Sequence, residues 1–476
     1  MYQAIVFLSA ALFVAATLFL FRKKDNSKFD LFLKIFTVAF CAVGFFRFML
    51  SDSFIYVING AWFNGEHYKS TDVLQSILRW GYYTCYAVLP MAVFYDSRFF
   101  RNVASYFCLP FAVLSAVFFN DYMAYFLSPL GHGLDLVPWI RYAYFVLELV
   151  MAISIPLLLQ IRYKHVFNVH DRGEWKNFLI GLPLLVLISI PVYLPQSLIG
   201  YDFRTPKTFG NFHLAWIAIL FVVCIALYYA FRFRSHHDRL MLCMFLTILL
   251  FFHYDSLYLM GFTIKRLPFQ LCNIASYFYI IAMCFKLEKM FHFCFLANIV
   301  GTLIAILMPD FAGGDFSFWT SHYVLEHSLV LLIPALVMGL RIFPRVNPKS
   351  LKYFFVGFTI YFLFAFTSGV ILNGYSDVTG ETVNYFFMFD LEMAFDYFPF
   401  LKFAENYPVR FGRFEFYPII VGIIFVAFSL VSCVFYKLVK FFYKLEDDHL
   451  ALRGSAIDLY EKITHKVSRR PKNFID

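Results

Sequence analysis

Apolar residues run along this chain in blocks of about 20, separated by short polar stretches, as expected of helices that each cross a hydrocarbon core roughly 30 Å thick. The blocks fall at residues 3–21, 29–50, 73–95, 103–120, 138–160, 178–200, 213–231, 240–263, 267–285, 291–308, 321–340, 353–373 and 417–437. They predict an all-α, polytopic transmembrane bundle of about 13 spans. The first block has no basic stretch before it and no small-residue cleavage site after it, so it reads as a retained span.

Alternate loops differ in charge. Those at 22–28, 96–102, 161–177, 232–239, 286–289 and 341–352 hold 19 Lys and Arg, and the opposite, longer set holds 8. Positive charge is retained on the cytoplasmic side, so the first set faces the cytoplasm, the N-terminus lies outside and the C-terminus inside. Plasma membrane is the expected location. The tail from Lys437 onward holds nine more Lys and Arg, with Leu450, Leu452, Ile457, Leu459, Ile463 and Val467 near helical spacing between basic residues. That pattern fits either a helix resting on anionic headgroups or a solvated terminus. The stretch 386–403 is aromatic, acidic and too interrupted to span, which suits an interfacial or re-entrant element on the outer side. The expected organisation is a transmembrane region of about six helices over 1–204, a core over 205–404, a final span over 405–440 and a basic tail over 441–476.

Composition changes this picture little. Hydrophobic residues make up 61% of the 476, and charged residues 15% where a soluble domain has about a quarter. The 66 Phe are spread over every span, which reads as bias rather than design. All nine Cys lie in or beside apolar blocks and none in a CxxC pair, which argues against a disulfide framework or a zinc site. The chain has no Walker motif, no GxGxxG after a strand, no HExxH and no nucleic-acid-binding pattern, so no cofactor, metal or nucleic-acid partner is expected.

Ionisable side chains inside spans are costly and therefore candidate functional groups. Arg79 and Glu148 lie in the first half at different depths, and His253 and Asp255 point to different sides of one helix. Both Arg79 and Glu148 suit a structural role bridging helices. In the second half, the predicted topology gathers polar groups into one layer near the outer face. Cys272 and His327 each lie about six residues, or about 9 Å, into a span entering from outside. His213 stands at the mouth of another, Asn373 at the outer end of a fourth, and Asp310 just past the outer end of a fifth.

An imidazole beside a thiol makes the thiolate available, which is what a thioester-forming nucleophile needs. Gln270, Asn273 or the backbone N–H groups of the helix led by Pro268 would then donate to a developing oxyanion. Against this stands the common role of a membrane Cys as an inert small filler, and of a membrane His as a bridge between helices.

The stretch from Phe209 to Phe389 resembles the YwaF-like family of bacterial integral membrane proteins. The similar segments are FGNFHLAWIAI, LPFQLCNIA, LMPDF, EHSLVLLIPAL and NGYSDVTGETVNYFFMF, the last carrying Asn373, Asn384 and Tyr385. That family is in turn similar to animal transmembrane acyltransferases that remodel phospholipids through a Cys nucleophile and a His. The resemblance implies Cys272 and His327 in those roles and membrane phospholipid as the substrate. Where the family has LPLHLCD, this chain has Gln270 for the His and Asn273 for the Asp.

Three functional classes follow. The first is a cofactor-free acyltransferase or acyl hydrolase working on phospholipid in the outer leaflet through Cys272 and His327, with His213, Gln270, Asn273, Asp310, Asn373, Asn384 and Tyr385 as polar support. The second is a small-molecule transporter using Arg79, Glu148, His253 and Asp255, although no internal repeat is visible. The third is an assembly protein whose polar groups knit helices together.

Overall fold

The structure, a computed structural model, describes residues 1–50, 85–120, 138–163, 205–255, 264–311, 318–376, 380–389 and 399–464, apart from positions 23, 87, 95–97 and 413, together with a few isolated residues. The span expected at 178–200, most of that at 73–95, Arg79 and the last part of the tail lie outside the described residues. The fold is all-α: among the described residues the strands form a single hairpin. Eight described helices are long and apolar enough to cross a membrane. The chain divides into two compact units. One holds residues 1–205, 251–262 and 312–322, and the other holds 206–250, 263–311 and 323–476.

The first unit contains α1 (Tyr2–Phe21), α2 (Asn26–Leu50), α3 (Arg98–Val103), α4 (Leu109–Val117) and α5 (Pro138–Tyr163), with a wider π turn at Ala104–Cys108 joining α3 to α4. Helix α5 is its axis: α1, α2 and α4 pack along it, and 67% of its apolar window is buried against 22% for α1. The apolar side chains that α1 leaves outward suit lipid rather than water. At one end of α5, Arg162 grips Asp30 of α2 with two hydrogen bonds of 2.8 and 3.0 Å. Nearer its middle, Glu148 accepts from the Tyr86 hydroxyl, and the Tyr86 ring stacks on Phe40 at 4.4 Å. Glu148 thus has the helix-bridging place that its position in a span suggested.

The second unit contains α6 (Asn211–Phe231), most of α7 (His236–Asp255), α8 (Leu271–Phe285), α9 (Glu288–Leu307), α10 (Phe318–Gly339) from Tyr323 onward, α11 (Pro348–Gly374) and α12 (Pro418–Thr464). Its axis is α9, on which α8, α11 and α12 pack. The windows of α9 and α10 are 67% and 72% buried, whereas α6 buries 11% and α11 28%. Two helices of one chain therefore form a protein-lined interior while their neighbours face outward.

Close approach to α9 depends on small residues, as is usual between membrane helices. A Cβ on Gly357 of α11 would lie 2.5 Å from the ring of Phe293, so only glycine lets the two backbones come this near. Helix α11 starts with a capping box: Asn347 accepts from the Lys349 N–H, and the Ser350 hydroxyl accepts from the Asn347 N–H, with Pro348 following the cap.

Two elements differ from the sequence-based expectation. The helix led by Pro268 begins only at Leu271, after a 3₁₀ turn at Ile264–Arg266, and at 15 residues it is about 22 Å long. Cys272 is therefore its second residue instead of lying a turn and a half inside. The physical reason is that Gln270 adopts an extended conformation (φ −67°, ψ 148°), so helical geometry cannot start before Leu271. The last span and the start of the tail form one unbroken helix of 47 residues, about 70 Å long and more than twice the thickness of a hydrocarbon core. Its polar stretch is clasped near the end of α10, where Arg345 bonds Glu446 and Asp447 at 2.6 Å each, Arg341 bonds Asp447 and the Tyr228 hydroxyl bonds Glu446.

The Gly357 contact yields a stability prediction. Gly357→Ala should destabilise the protein by about 1–3 kcal/mol through overpacking against Phe293. Thermal unfolding in detergent would register this as a lower midpoint, and an unchanged midpoint would show that α9 and α11 do not meet there.

Candidate functional site

The end of α9 is where the polar residues of the second unit converge. Its last two turns carry Thr302, Ala305 and Ile306, and each receives a different helix. Cys272 of α8 places its sulfur 3.8 Å from the Thr302 hydroxyl. Tyr323 of α10 donates its hydroxyl to the Ala305 carbonyl at 2.8 Å, and His213 of α6 reaches the Ile306 carbonyl at 2.6 Å. An apolar cluster of Trp216, Leu220, Ile306 and Leu331 backs this layer.

The register of α8 against α10 places His327 relative to Cys272. Tyr279 of α8 donates to the Val330 carbonyl of α10 at 3.0 Å. Two turns earlier on each helix stand Cys272 and Tyr323, which lie within electrostatic reach of each other. One turn beyond Tyr323 come Glu326 and His327, both buried, and Glu326 is also within electrostatic reach of the Cys272 sulfur. The His327 ring stacks on Tyr323 at 4.0 Å. Among the described residues no hydrogen bond joins Cys272 directly to His327; Tyr323 connects their surroundings.

The two histidines of the layer differ in what their ring nitrogens do. His213 Nδ1 accepts from the Phe209 N–H at 2.8 Å, so it carries no proton, and its Nε2–H donates to the Ile306 carbonyl. Both nitrogens are engaged by backbone, and Phe209 is held in the left-handed region at φ 58° by that contact. His213 is a clamp. His327 instead bonds only through Nδ1, at 2.8 Å to the Tyr323 carbonyl. A carbonyl can only accept, so Nδ1 carries the proton and the Nε2 lone pair is the one left to act as a base.

The amides near Cys272 also have structural work. Gln270 donates to the Asn384 carbonyl at 2.7 Å and accepts from the Phe386 N–H at 2.8 Å. Asn373 holds both the N–H and the carbonyl of Val383, at 2.7 and 2.9 Å, and the Asn384 side chain accepts from the Phe389 N–H at 2.9 Å. Three side-chain amides thus fix the segment 383–389, in which Phe386 and Phe387 take positive φ values of 53° and 55°. Such left-handed residues cost roughly 1–3 kcal/mol each and persist where the surroundings over-determine them. Tyr385 is buried with its ring edge-on to Phe269 at 5.3 Å.

Of the polar residues named from sequence, Cys272 and His213 reach the end of α9, His327 contacts Tyr323, whose hydroxyl bonds that end, and Gln270, Asn373 and Asn384 meet on the 383–389 segment. Asn273 follows Cys272 in the first turn of α8 and its carbonyl accepts from Ser276 at 2.7 Å. Asp310 lies beyond α9 and is exposed. In the first unit, His253 stacks on His322 at 4.2 Å and bonds its carbonyl at 3.0 Å. Sequence reasoning passed over Thr302, Tyr323 and Glu326. Glu326 had a signal, being a carboxylic acid in an apolar block directly before His327. Thr302 and Tyr323 had none, since a Thr or Tyr in an apolar helix is common.

The arrangement presents a thiol at the start of a helix, where the first backbone N–H groups have no intrahelical acceptor and the helix dipole favours negative charge. On α10 stand His327, whose Nδ1 is held by the Tyr323 carbonyl, and the buried Glu326. Such a set suits nucleophilic attack with an oxyanion held at the helix start.

No curated protein and no solved structure matches the chain. The model of the TMEM164 family, a family of transmembrane proteins, matches residues 208–436. That match covers a little under half of the chain, runs from just before α6 to the apolar part of α12, and includes every residue of the layer around Cys272.

Proposed function

We propose that this multi-pass membrane protein is an acyltransferase or acyl hydrolase that acts on phospholipid through a thioester on Cys272. His327 takes the thiol proton on Nε2 as the sulfur attacks the ester carbonyl. The oxyanion is held by the first-turn N–H groups of α8, and a lysolipid hydroxyl or water then accepts the acyl group. The observation that carries this reading is the fixed tautomer of His327: its Nδ1–H is held by the Tyr323 carbonyl, which leaves Nε2 as a base on the helix turn next to the one facing Cys272.

Gln270, Asn373 and Asn384 support the site by holding the 383–389 segment in place, and His213 fixes α6 on α9. These are positioning roles, and they give a reason why Gln at 270 serves here where the resembling family has His. An amide can both donate to the Asn384 carbonyl and accept from the Phe386 N–H, whereas an imidazole cannot reach both backbone groups from one side in the same way. The loop charge bias favours the outer leaflet of the plasma membrane as the place of reaction.

The test is covalent. Purified protein given a phospholipid with a radiolabelled acyl chain should acquire a label that hydroxylamine removes. Cys272→Ala should abolish it while leaving the unfolding midpoint within a few degrees, and His327→Gln should slow labelling by about 10²–10⁴-fold, the usual contribution of a proton-transfer group. Label that survives Cys272→Ala would sink the reading. A separate expectation concerns the clamp. Gln270→Ala leaves the Phe386 N–H and the Asn384 carbonyl without their partner, which should cost about 1–3 kcal/mol of stability and slow labelling. An unchanged thermal midpoint would show that the amide does not hold this segment.

A further inference from the structure

We infer that the first unit holds one phospholipid as a resident ligand, with an acyl chain in a groove beside the seam of α1 and α5 and its phosphate at the aromatic mouth of that groove. The groove has a volume of about 520 Å³, within the range of small-molecule sites. Tyr2, Ile5 and Ser9 line it from one face of α1, and side chains three or four positions apart line it from α5, beginning at Trp139 and ending at Val150. All of these residues belong to the first unit, so the site is independent of any thioester on Cys272 in the second.

Length, lining and mouth each select this occupant. Along α5 the groove runs for about 16 Å at 1.5 Å per residue, about half of a roughly 30 Å hydrocarbon core, so it is as deep as one leaflet. Away from the mouth its walls are aliphatic, with Ile5, Val146, Leu147 and Val150, and no charged side chain lines it. The small side chains of Ser9 and Ala143 leave the room that a hydrocarbon chain needs. The mouth is aromatic and fixed. The rings of Tyr2 and Tyr142 stack at 4.2 Å, Phe119 lies against them at 5.5 and 6.4 Å, and Gln3 ties the start of α1 to the Val117 carbonyl at 2.7 Å. The hydroxyls of Tyr2 and Tyr142 and the indole N–H of Trp139 make no hydrogen bond to the described residues. An indole N–H can only donate and a phenol donates readily, so the mouth calls for acceptors, which phosphate and ester oxygens supply. Both helices begin at this end, as the Tyr2–Tyr142 stack requires, and their dipoles add positive partial charge that complements a phosphate. These donors decide which lipid stays. Bulk lipid is as apolar as the groove, so chain contacts alone do not prefer one molecule over its neighbours.

Lipid retention tests this. Full-length protein is extracted in a mild detergent, washed with excess detergent to strip loosely held lipid, and weighed by native mass spectrometry. The wild type should carry one phospholipid per chain. Trp139→Phe and Tyr142→Phe keep the rings and remove one donor each, and each should lower the ratio of loaded to empty protein about tenfold, the scale of a hydrogen bond to a charged acceptor. Ala143→Phe, which fills the groove, should abolish retention, and Ile35→Phe, at an exposed position of α2 outside the groove, should leave it unchanged. A wild type that keeps no phospholipid, or donor variants that keep as much as the wild type, would overturn the inference. Should Ala143→Phe not fold, photocrosslinking of the wild type in bilayers still decides. Phosphatidylcholine with a diazirine at the end of one acyl chain should label residues 146–150 more strongly than the exposed stretch of α2 around Leu31 and Ile35, and equal labelling would mean ordinary lipid contact and reject the site.

Discussion

Backbone N–H and C=O groups at membrane depth must find partners within the protein, because hydrocarbon offers none. The second unit meets this constraint mostly with helices, and a marked departure among the described residues is the start of α8, where the chain turns from 3₁₀ to extended to helical over Ile264–Leu271. The backbone facing that break is not helical either. Segment 383–389 carries two left-handed Phe residues, and the amides of Gln270, Asn373 and Asn384 supply what a helix would have supplied. Aromatic packing closes the arrangement, with Phe386 against Phe358, Tyr361, Phe362 and Phe428 at 5.0–5.9 Å. This backbone sets a helix start, whose first N–H groups have no intrahelical acceptor, at Cys272.

The same constraint separates the two histidines. Each donates to a carbonyl, but His213 also accepts from Phe209 and so has no atom left for chemistry. His327 takes its carbonyl from the preceding turn of its own helix and stacks on the Tyr323 ring, which leaves Nε2 unused by these contacts. A shared depth in the membrane therefore does not imply a shared role. What distinguishes a base from a clamp is the number of ring nitrogens the backbone engages.

The apolar blocks made the helices legible, because a period of about 20 residues is set by membrane thickness and little else. Described helices α1, α5, α6, α9, α10 and α11 begin and end within a few residues of their blocks. The start of α8 was not legible: Pro268 and Phe269 continue the apolar run, and hydropathy cannot tell an extended apolar residue from a helical one. The unbroken α12 was missed for the opposite reason, since a helix can continue into water when its composition turns polar. At the site, residue types marked Cys272, His327 and His213 as polar groups of interest, but the partners of the two histidines are mostly backbone groups. Those partners leave no trace in residue identity, so the amide of Gln270 reads as a possible oxyanion donor until Asn384 and Phe386 are seen to hold it.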